Sequence, residues 1–208
     1  MNRALKTTGS PHQLADPCPI EEQELAAATS DKTHKSPAEI ALSASRVRSA
    51  ASCSSAHVAA ALASTVERWR NPAYPHRCEA VSQLAAATGI TSPSLEESLD
   101  ALFAPATRDS LASLAPRLPR TDRLLGFIMA GNVPGAGIHE ICAALLAGAG
   151  LLIKTASTEP SFFPSFIRTL AEVDAAVAAR VTVMNFSRDD ESAMRELWRC
   201  SDGGVVAY

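Results

Sequence analysis

Residues 124–154 read LLGFIMAGNVPGAGIHEICAALLAGAGLLIK, and this stretch decides the fold of the chain. It combines an apolar run, a turn rich in Gly, Asn and Pro, a helix and a second apolar run within the roughly thirty residues of a βαβ unit. The helix repeats apolar side chains every three or four residues, the spacing of a face that lies on a sheet. That face consists of Ile138, Ile141, Cys142, Leu145 and Leu146. The apolar runs are typical of strands covered on both sides in a parallel sheet.

The alternation of strand and helix continues to the last residue of the sequence. Apolar strands are predicted at 151–154, 181–186 and 204–208, and a helix beginning at Asp189 or Asp190 precedes the last of them. Connections of this length allow right-handed crossovers, so the sequence predicts an α/β fold with a partial, Rossmann-like doubly wound parallel sheet. The residues predicted to face inward from the later helices are Phe162, Phe163, Phe166, Ile167, Leu170 and Val173 in one, and Met194, Leu197 and Trp198 in the other.

The first fifty residues differ in composition from the rest of the chain. They mix Ser, Thr, Pro, Lys and Glu without sustained periodicity, and their prolines interrupt regular structure. This composition predicts a poorly ordered leader over residues 1–50, with short helical pieces at 21–28 and 38–47.

Residues 51–119 show the apolar spacing of helices. Gly89 is a natural C-terminal stop, Ser92 is the predicted N-cap of the next helix, and a short helix is predicted at 108–114. We therefore expect a helical region over 51–119, followed by a partial nucleotide-binding α/β domain over 120–208.

Composition and charge exclude several classes of partner. A net charge of -3 and a pI near 6.0 give no basic field that would attract nucleic acid or an anionic membrane. The apolar stretch 143–153 is shorter than the roughly 20 residues that span a bilayer, so no membrane span is predicted. The five cysteines are odd in number and without CxxC spacing, and His57 and His76 lack the spacing of metal ligands. These features predict no metal, no disulfide framework and a reducing, cytoplasmic setting.

The glycine-rich loop AGNVPGAG, residues 130–137, does not carry the usual dinucleotide fingerprint. Its glycines permit close backbone approach to a ligand. However, the third glycine of GxGxxG is missing, and His139 or Glu140 occupies that position. The loop therefore needs another explanation than a generic Rossmann motif.

The motif AGNVPG after an apolar strand, followed by LLAGAGLLIKTAS, VTVMNF and GGVVAY, resembles the first half of the cofactor domain of the aldehyde dehydrogenase superfamily. Within it, residues 123–208 are most similar to the acyl-CoA reductases of the LuxC type, which make fatty aldehyde for bacterial luminescence. The resemblance implies that a thiolate attacks the acyl carbon and that hydride moves from a nicotinamide. It also implies a loop asparagine that helps hold the oxyanion, the place of Asn132. An amide donor preorganised in a dry pocket stabilises such developing negative charge.

The resemblance implies a cofactor site formed by Ala130, Gly131, Lys154 and Ser157. Lys154 would reach the adenine-side ribose, because ligands of open α/β sheets bind beyond the carboxyl ends of the strands. Members of the family that use NAD often carry a glutamate three residues after this lysine, where the present chain has Ser157. A hydroxyl does not repel a 2′-phosphate as a carboxylate would, so we expect NADP(H) rather than NAD(H).

The sequence departs from the family after GGVVAY. Family members continue with a Gly-Ser turn and then a catalytic domain, which supplies the nucleophilic cysteine and a general-base glutamate. Neither has a counterpart here, and none of the five cysteines is assigned as the nucleophile. We therefore expect the N-terminal part of a longer enzyme, truncated before its catalytic domain.

Two functions stay open at this point. One is part of an acyl-CoA reductase that reduces a long-chain fatty acyl-CoA, or another acyl thioester, to the aldehyde with NADPH. The other is a catalytically inactive fragment that only binds nucleotide or a partner subunit. The family implies acyl-transfer partner proteins, and an uncovered strand edge predicts homo-oligomer formation.

Overall fold

A computed structural model describes residues 35–131, 133–159 and 161–206. The side chains of Val205 and Val206 are not described. Its helices are α1 (Pro37–Ser49), α2 (Ser55–Arg70), α3 (Pro75–Thr88), α4 (Ser92–Phe103), α5 (Arg108–Leu114), α6 (Ile138–Ala147), α7 (Phe162–Val173), α8 (Ala175–Ala178) and α9 (Glu191–Cys200). Its strands are β1 (Leu124–Ile128), β2 (Gly150–Thr155), β3 (Val181–Asn185) and β4 (Gly203–Val206).

The strands form one parallel sheet in the order β3-β2-β1-β4. Each successive pair of strands is joined through helix, as right-handed crossovers in parallel sheets require. The α/β fold predicted from the alternation is therefore confirmed, and the strand bounds differ from the predicted ones by one or two residues. All six residues of β2 are buried, as expected for a strand with helices on both faces.

The sheet separates two apolar layers. On one face, α6 and α7 cover Phe127 and Ile153, and the five residues predicted for the buried stripe of α6 are all buried. Trp69 of α2 extends this layer, because its ring contacts the ring of Phe162 and its Nε1 donates to Thr169 Oγ1 at 2.9 Å. On the other face, α1 and α9 cover a second cluster, whose members include Leu124, Leu152, Met184 and Phe186.

Helix α1 belongs to the packed part of the molecule. A capping box between Ser36 and Glu39 begins it, and Ile40, Ala44 and Val47 are buried against the sheet. The helical piece predicted at 38–47 is confirmed, and because α1 packs on the sheet, residues 37–49 are not part of a poorly ordered leader. The piece predicted at 21–28 lies outside the described residues.

Two local predictions were wrong. The N-cap of α4 is Thr91, whose side chain accepts from Ser94 N, so Ser92 is the first helical residue. Trp198 was predicted to face inward, but it is 39% exposed and covers Gly204. A Cβ atom at Gly204 would lie 1.9 Å from Trp198 Cζ3, so the indole packs directly against the backbone of Gly204.

Asp202, just before β4, ties α1 to the sheet. Its carboxylate accepts two hydrogen bonds from the Arg48 guanidinium, at 2.9 and 3.0 Å, and one from Leu124 N at 2.8 Å. Hydrogen bonding to Arg48, and then to the Leu124 amide, lowers the pKa of Asp202 from 3.8 to about 2. The pairing therefore stabilises the fold above pH 3.8 and is lost as the pH falls towards 2.

We predict that Asp202→Asn lowers the free energy of unfolding by roughly 1 kcal/mol at neutral pH, a value limited by solvent screening of a partly exposed pair. The loss of stability between about pH 4 and pH 2 should also become shallower, because the group that titrates there is gone. Urea unfolding at several pH values measures both effects. Asp189→Asn is the matched control, since Asp189 is exposed, and an equal effect of the control would contradict the role of Asp202.

Candidate functional site

The predicted site residues lie at the carboxyl edge of the sheet. Lys154 is the penultimate residue of β2, and its carbonyl accepts from Met129 N at 2.9 Å, which holds the ends of β1 and β2 side by side. Ala130 and Gly131 continue from β1, and Ser157 lies in the turn after β2. Asn132 lies outside the described residues, so its role in holding an oxyanion stays a prediction.

Gly131 is where the loops after β1 and β2 touch. A Cβ atom at this position would lie 2.1 Å from Thr158 Oγ1 and 2.8 Å from Ala156 Cβ. The Thr158 hydroxyl donates to the Gly131 carbonyl at 3.5 Å. Only a residue without a side chain allows this approach, and it brings the backbone of the glycine-rich loop against the turn that carries Ser157.

The side chain of Lys154 is buried, with 3% of the residue exposed. Its ammonium donates to the Thr155 carbonyl at 3.1 Å and lies 5.1 Å from the centre of the Phe186 ring. Burial lowers the pKa of Lys154, and the positive charge of Arg188 lowers it further. Among the described residues, one hydrogen bond of the ammonium group is formed, the one to the Thr155 carbonyl.

Ser157 is exposed at the tip of a turn closed by the pairing of Ala156 with Glu159. The Glu159 amide donates to the Ala156 carbonyl at 3.2 Å. The fold therefore presents the Ser157 hydroxyl to solvent on a short, fixed turn.

Glu159 is buried, although it lies only two residues after Ser157. One carboxylate oxygen accepts from Phe162 N at 2.8 Å, from Ser161 N at 3.1 Å and from Ser161 Oγ at 3.3 Å. The other oxygen has no partner among the described residues, and burial raises the pKa of the group. The carboxylate thus occupies the N-terminus of α7, where amides lack intrahelical acceptors.

Sequence reasoning missed the residues that fix this edge from β3. Asn185 Nδ2 donates to Thr155 Oγ1 at 2.9 Å and to the Ala156 carbonyl at 3.2 Å, and Thr155 Oγ1 donates to the Met184 carbonyl at 3.3 Å. Arg188 follows β3 and is close enough to lower the pKa of Lys154. The available signal was their position at or just beyond the end of a predicted parallel strand, since the carboxyl ends of such strands share one edge.

Three of the described cysteines lie in surroundings that do not favour a reactive thiolate. Burial raises the pKa of Cys142 to about 12, and burial followed by the Glu196 carboxylate raises that of Cys200. Cys78 is buried and its thiol donates to the Pro72 carbonyl at 3.1 Å. Among the described residues there is also no group of three His, Cys, Asp or Glu side chains suited to a metal ion. None of the described helices is long and apolar enough to cross a membrane.

Solved structures place the fold in the aldehyde dehydrogenase class. The chain aligns with a NAD-dependent benzaldehyde dehydrogenase from Corynebacterium glutamicum at a TM-score of 0.65 and 14% identity, over 84% of this chain and 47% of that one. It aligns with succinic semialdehyde dehydrogenase from Streptococcus pyogenes, solved with NADP+ as the cofactor, at a TM-score of 0.52 and 16% identity, over 89% and 46% of the two chains. At these identities the likeness concerns the fold alone.

The sequence gives the narrower classification. Residues 120–208 match the model of the family described as Acyl-CoA reductase (LuxC). The long-chain acyl-protein thioester reductase 2 of Photobacterium leiognathi is 30% identical over 84 residues, which are 39% of this chain and 17% of that protein. The family resemblance seen in the sequence is thereby confirmed. The chain spans a little under half of the two solved structures.

We predict that Gly131→Ala destabilises the chain by about 1–3 kcal/mol, the range for overpacking a filled site. The added methyl must displace the turn that carries Thr158, so proteolysis of this loop should also accelerate. Thermal unfolding and limited proteolysis measure the two effects. Gly203→Ala is the control, because a Cβ atom there would meet Leu125 Cδ2 at an ordinary 3.5 Å. Equal behaviour of both variants would show that the two loops are not in contact.

Proposed function

We propose that residues 120–208 form the nucleotide-binding wall of an NADPH-dependent acyl-CoA reductase, which reduces a long-chain fatty acyl thioester to the aldehyde. The observation that carries this proposal is the buried ammonium of Lys154 at the carboxyl edge, beside the exposed hydroxyl of Ser157. The match of this segment to the acyl-CoA reductase (LuxC) family supports the reaction class. The relative from P. leiognathi, a reductase of acyl-protein thioesters, supports a thioester as substrate.

The charges at this edge favour a cofactor with a 2′-phosphate. Burial lowers the pKa of Lys154, and the positive charge of Arg188 lowers it further. A phosphate bound near both groups would relieve the repulsion between them. Ser157 adds a hydroxyl donor where a carboxylate would repel the phosphate. The nearest carboxylate along the chain, Glu159, is buried under the N-terminus of α7 and is directed to its amides. This arrangement supports NADP(H) over NAD(H).

The residues present fit a nicotinamide cofactor. Gly131 exposes its backbone at a position where a side chain has no room. Lys154 places its buried amine near the carboxyl end of β2, on the same edge of the sheet. When bound, the cofactor supplies the hydride that turns R-CO-SCoA, with one proton, into R-CHO and CoA-SH. In the proposal, Ala130 and Gly131 let the backbone of the loop approach the cofactor closely, and Lys154 and Ser157 hold the ribose phosphate of the cofactor. Asn132 donates its amide to the oxyanion that develops on the acyl carbon.

A second candidate is a chain that binds the cofactor without turning over substrate. The observation that favours it is the state of three described cysteines: Cys78 and Cys142 are buried, and the pKa of Cys142 and of Cys200 is raised. Thiolate attack on a thioester needs an accessible thiol with a lowered pKa. Under this alternative, the chain supplies nucleotide binding to a partner subunit. A homo-oligomer and acyl-transfer partner proteins also remain proposals.

We predict that Ser157→Glu reverses the cofactor preference of the chain. The unmodified chain should bind NADP+ more tightly than NAD+. The introduced carboxylate should weaken NADP+ binding by roughly tenfold through repulsion of the 2′-phosphate, and it should leave or improve NAD+ binding through the ribose hydroxyls. Titration calorimetry with both cofactors measures the change, and Ser192→Glu on the exposed surface of α9 serves as a matched control.

Lys154→Met completes this experiment, because it removes the charge but keeps much of the apolar volume in the second cluster. It should fold at least as stably, since an unpaired buried charge is lost. Nevertheless, it should bind NADP+ roughly tenfold more weakly. An unchanged NADP+ affinity in both Ser157→Glu and Lys154→Met would exclude this edge as the cofactor site.

We also predict that the 208-residue chain oxidises no NADPH in the presence of a long-chain acyl-CoA. The physical reason is that Cys78 and Cys142 are buried and that the pKa of Cys142 and of Cys200 is raised, whereas attack on a thioester needs an accessible thiolate. The decrease in NADPH absorbance, with and without acyl-CoA, is the measurement. Acyl-CoA-dependent oxidation at a measurable rate would reject the second candidate and support the complete reductase activity.

A further inference from the structure

A second cationic region lies at the opposite, amino-terminal edge of the sheet. There a cavity of about 460 Å³ opens between the end of α1, the segment before β1 and the turn between α6 and β2. Four arginines and one carboxylate line it: Arg48, Arg120, Arg123, Arg180 and Asp122. Because strands rise about 3.3 Å per residue, this cavity is roughly 15 Å from the candidate cofactor edge along β1. It is therefore a separate site.

The fold builds this cavity around the C-terminal end of α6. Arg120 donates to the Leu146 carbonyl at 3.0 Å and to the Cys53 carbonyl at 3.2 Å. Gly148 ends the helix with φ at +99°, and a Cβ atom there would come within 3.0 Å of the Arg120 guanidinium. The glycine thus lets the guanidinium lie close against the turn, where the helix dipole favours a cation.

Arg180 is the buried arginine of the cluster, with 8% of the residue exposed. Its guanidinium donates to the carbonyls of Gly148 and Ala51, both neutral acceptors. Its Nε–H has no hydrogen-bond partner among the described residues. A buried guanidinium with an unused donor and no carboxylate beside it is costly unless an anion compensates for it.

The charges of the cavity do not balance within the described part of the chain. Arg48 is paired with Asp202 at 2.9 Å. Arg120, Arg123 and Arg180 have no carboxylate within ion-pair distance among the described residues, and Asp122 offsets one of the three charges. The cavity therefore carries an excess of about two positive charges, focused by walls that include Val47 and Leu124.

Capping of α6 explains only part of this arrangement. Arg120 and Arg180 satisfy carbonyls at the end of that helix, as cations commonly do. Arg123 caps nothing, yet it lines the same cavity and adds to its charge. A single arginine would serve the helix end, whereas three unpaired guanidiniums around one cavity form the fork-like donor set that recognises oxyanions.

We infer that this cavity binds a multiply charged phosphate, either free or carried by a small organic molecule. Its volume lies in the range of small-ligand sites. The guanidiniums of Arg123 and Arg180 supply donors that bond a phosphate oxygen, and the excess positive charge offsets that of the ligand. The inference does not depend on the reductase proposal, because no residue of the carboxyl edge takes part.

Inorganic pyrophosphate is the probe, titrated into the full chain by calorimetry at constant ionic strength. We expect one saturable site with a dissociation constant below about 1 mM. Arg123→Glu should weaken it at least about fivefold, since it reverses a charge at an exposed position that lines the cavity. Arg180→Lys, checked for folding by circular dichroism, should also weaken it, because a lysine lacks the fork geometry.

Two controls separate this site from the rest of the molecule. Arg195→Glu makes the same charge change on α9, outside the cavity, and should leave pyrophosphate affinity within about twofold. Lys154→Met, which tests the cofactor edge, should also leave it unchanged. Ribose 5-phosphate distinguishes the two sources of phosphate: tighter binding than pyrophosphate indicates an organic ligand, and weaker binding indicates the free anion.

The inference is overturned if pyrophosphate does not bind up to about 10 mM, or if Arg123→Glu and Arg195→Glu behave alike. It is also overturned if Lys154→Met abolishes the binding, because the anion would then occupy the carboxyl edge. A failure of NADP+ binding with intact pyrophosphate binding would instead reject the cofactor proposal alone.

Discussion

The structure depends on the burial of β2 from both sides. All six residues of this strand are buried, so its side chains enter the α6–α7 layer and the α1–α9 layer in alternation. Leu152 points to the second layer, and Lys154, two residues further on, must follow it. The strand therefore carries a charge into an apolar layer beside Phe186. Burial lowers the pKa of this lysine, and the hydrogen bond to the Thr155 carbonyl and the contact with the aromatic ring compensate in part for the lost hydration.

The sequence was sufficient where structure follows from local periodicity. The stripe of α6 and the alternation of strand and helix are such cases, because each depends on residues close together in the chain. Contacts set by strand register were not accessible in this way. Asn185 donates a hydrogen bond to Thr155 on the neighbouring strand, thirty residues away in the chain. Trp198 packs on the sheet only because β4 places Gly204, which has no side chain, beneath the indole. Such pairings depend on which strands become neighbours and in which register.

The two edges of the sheet hold positive charge by different means. At the carboxyl edge, Lys154 is buried by the strand itself, and Arg188 reinforces its field from the next loop. At the amino-terminal edge, Arg120 and Arg180 are held by carbonyls where α6 ends. Parallel α/β folds place helix N-termini at the first edge and helix C-termini at the second, so only the first adds dipolar attraction for an anion. The second edge therefore relies on full charges.

The buried carboxylate of Glu159 is held in place by hydrogen bonds at the start of α7. If the Glu159 carboxylate moved into solvent, the amides of Ser161 and Phe162 would lose their hydrogen-bond acceptor at the start of α7. The fold thus holds the one nearby negative group away from Ser157, and the shared turn from Ala156 to Glu159 keeps the hydroxyl outward. The proposed preference for a 2′-phosphate would therefore depend on the whole turn from Ala156 to Glu159. The carboxylate of Glu159 is directed to the amides of α7. A glutamate at position 157 would therefore add a new negative charge that repels a bound 2′-phosphate.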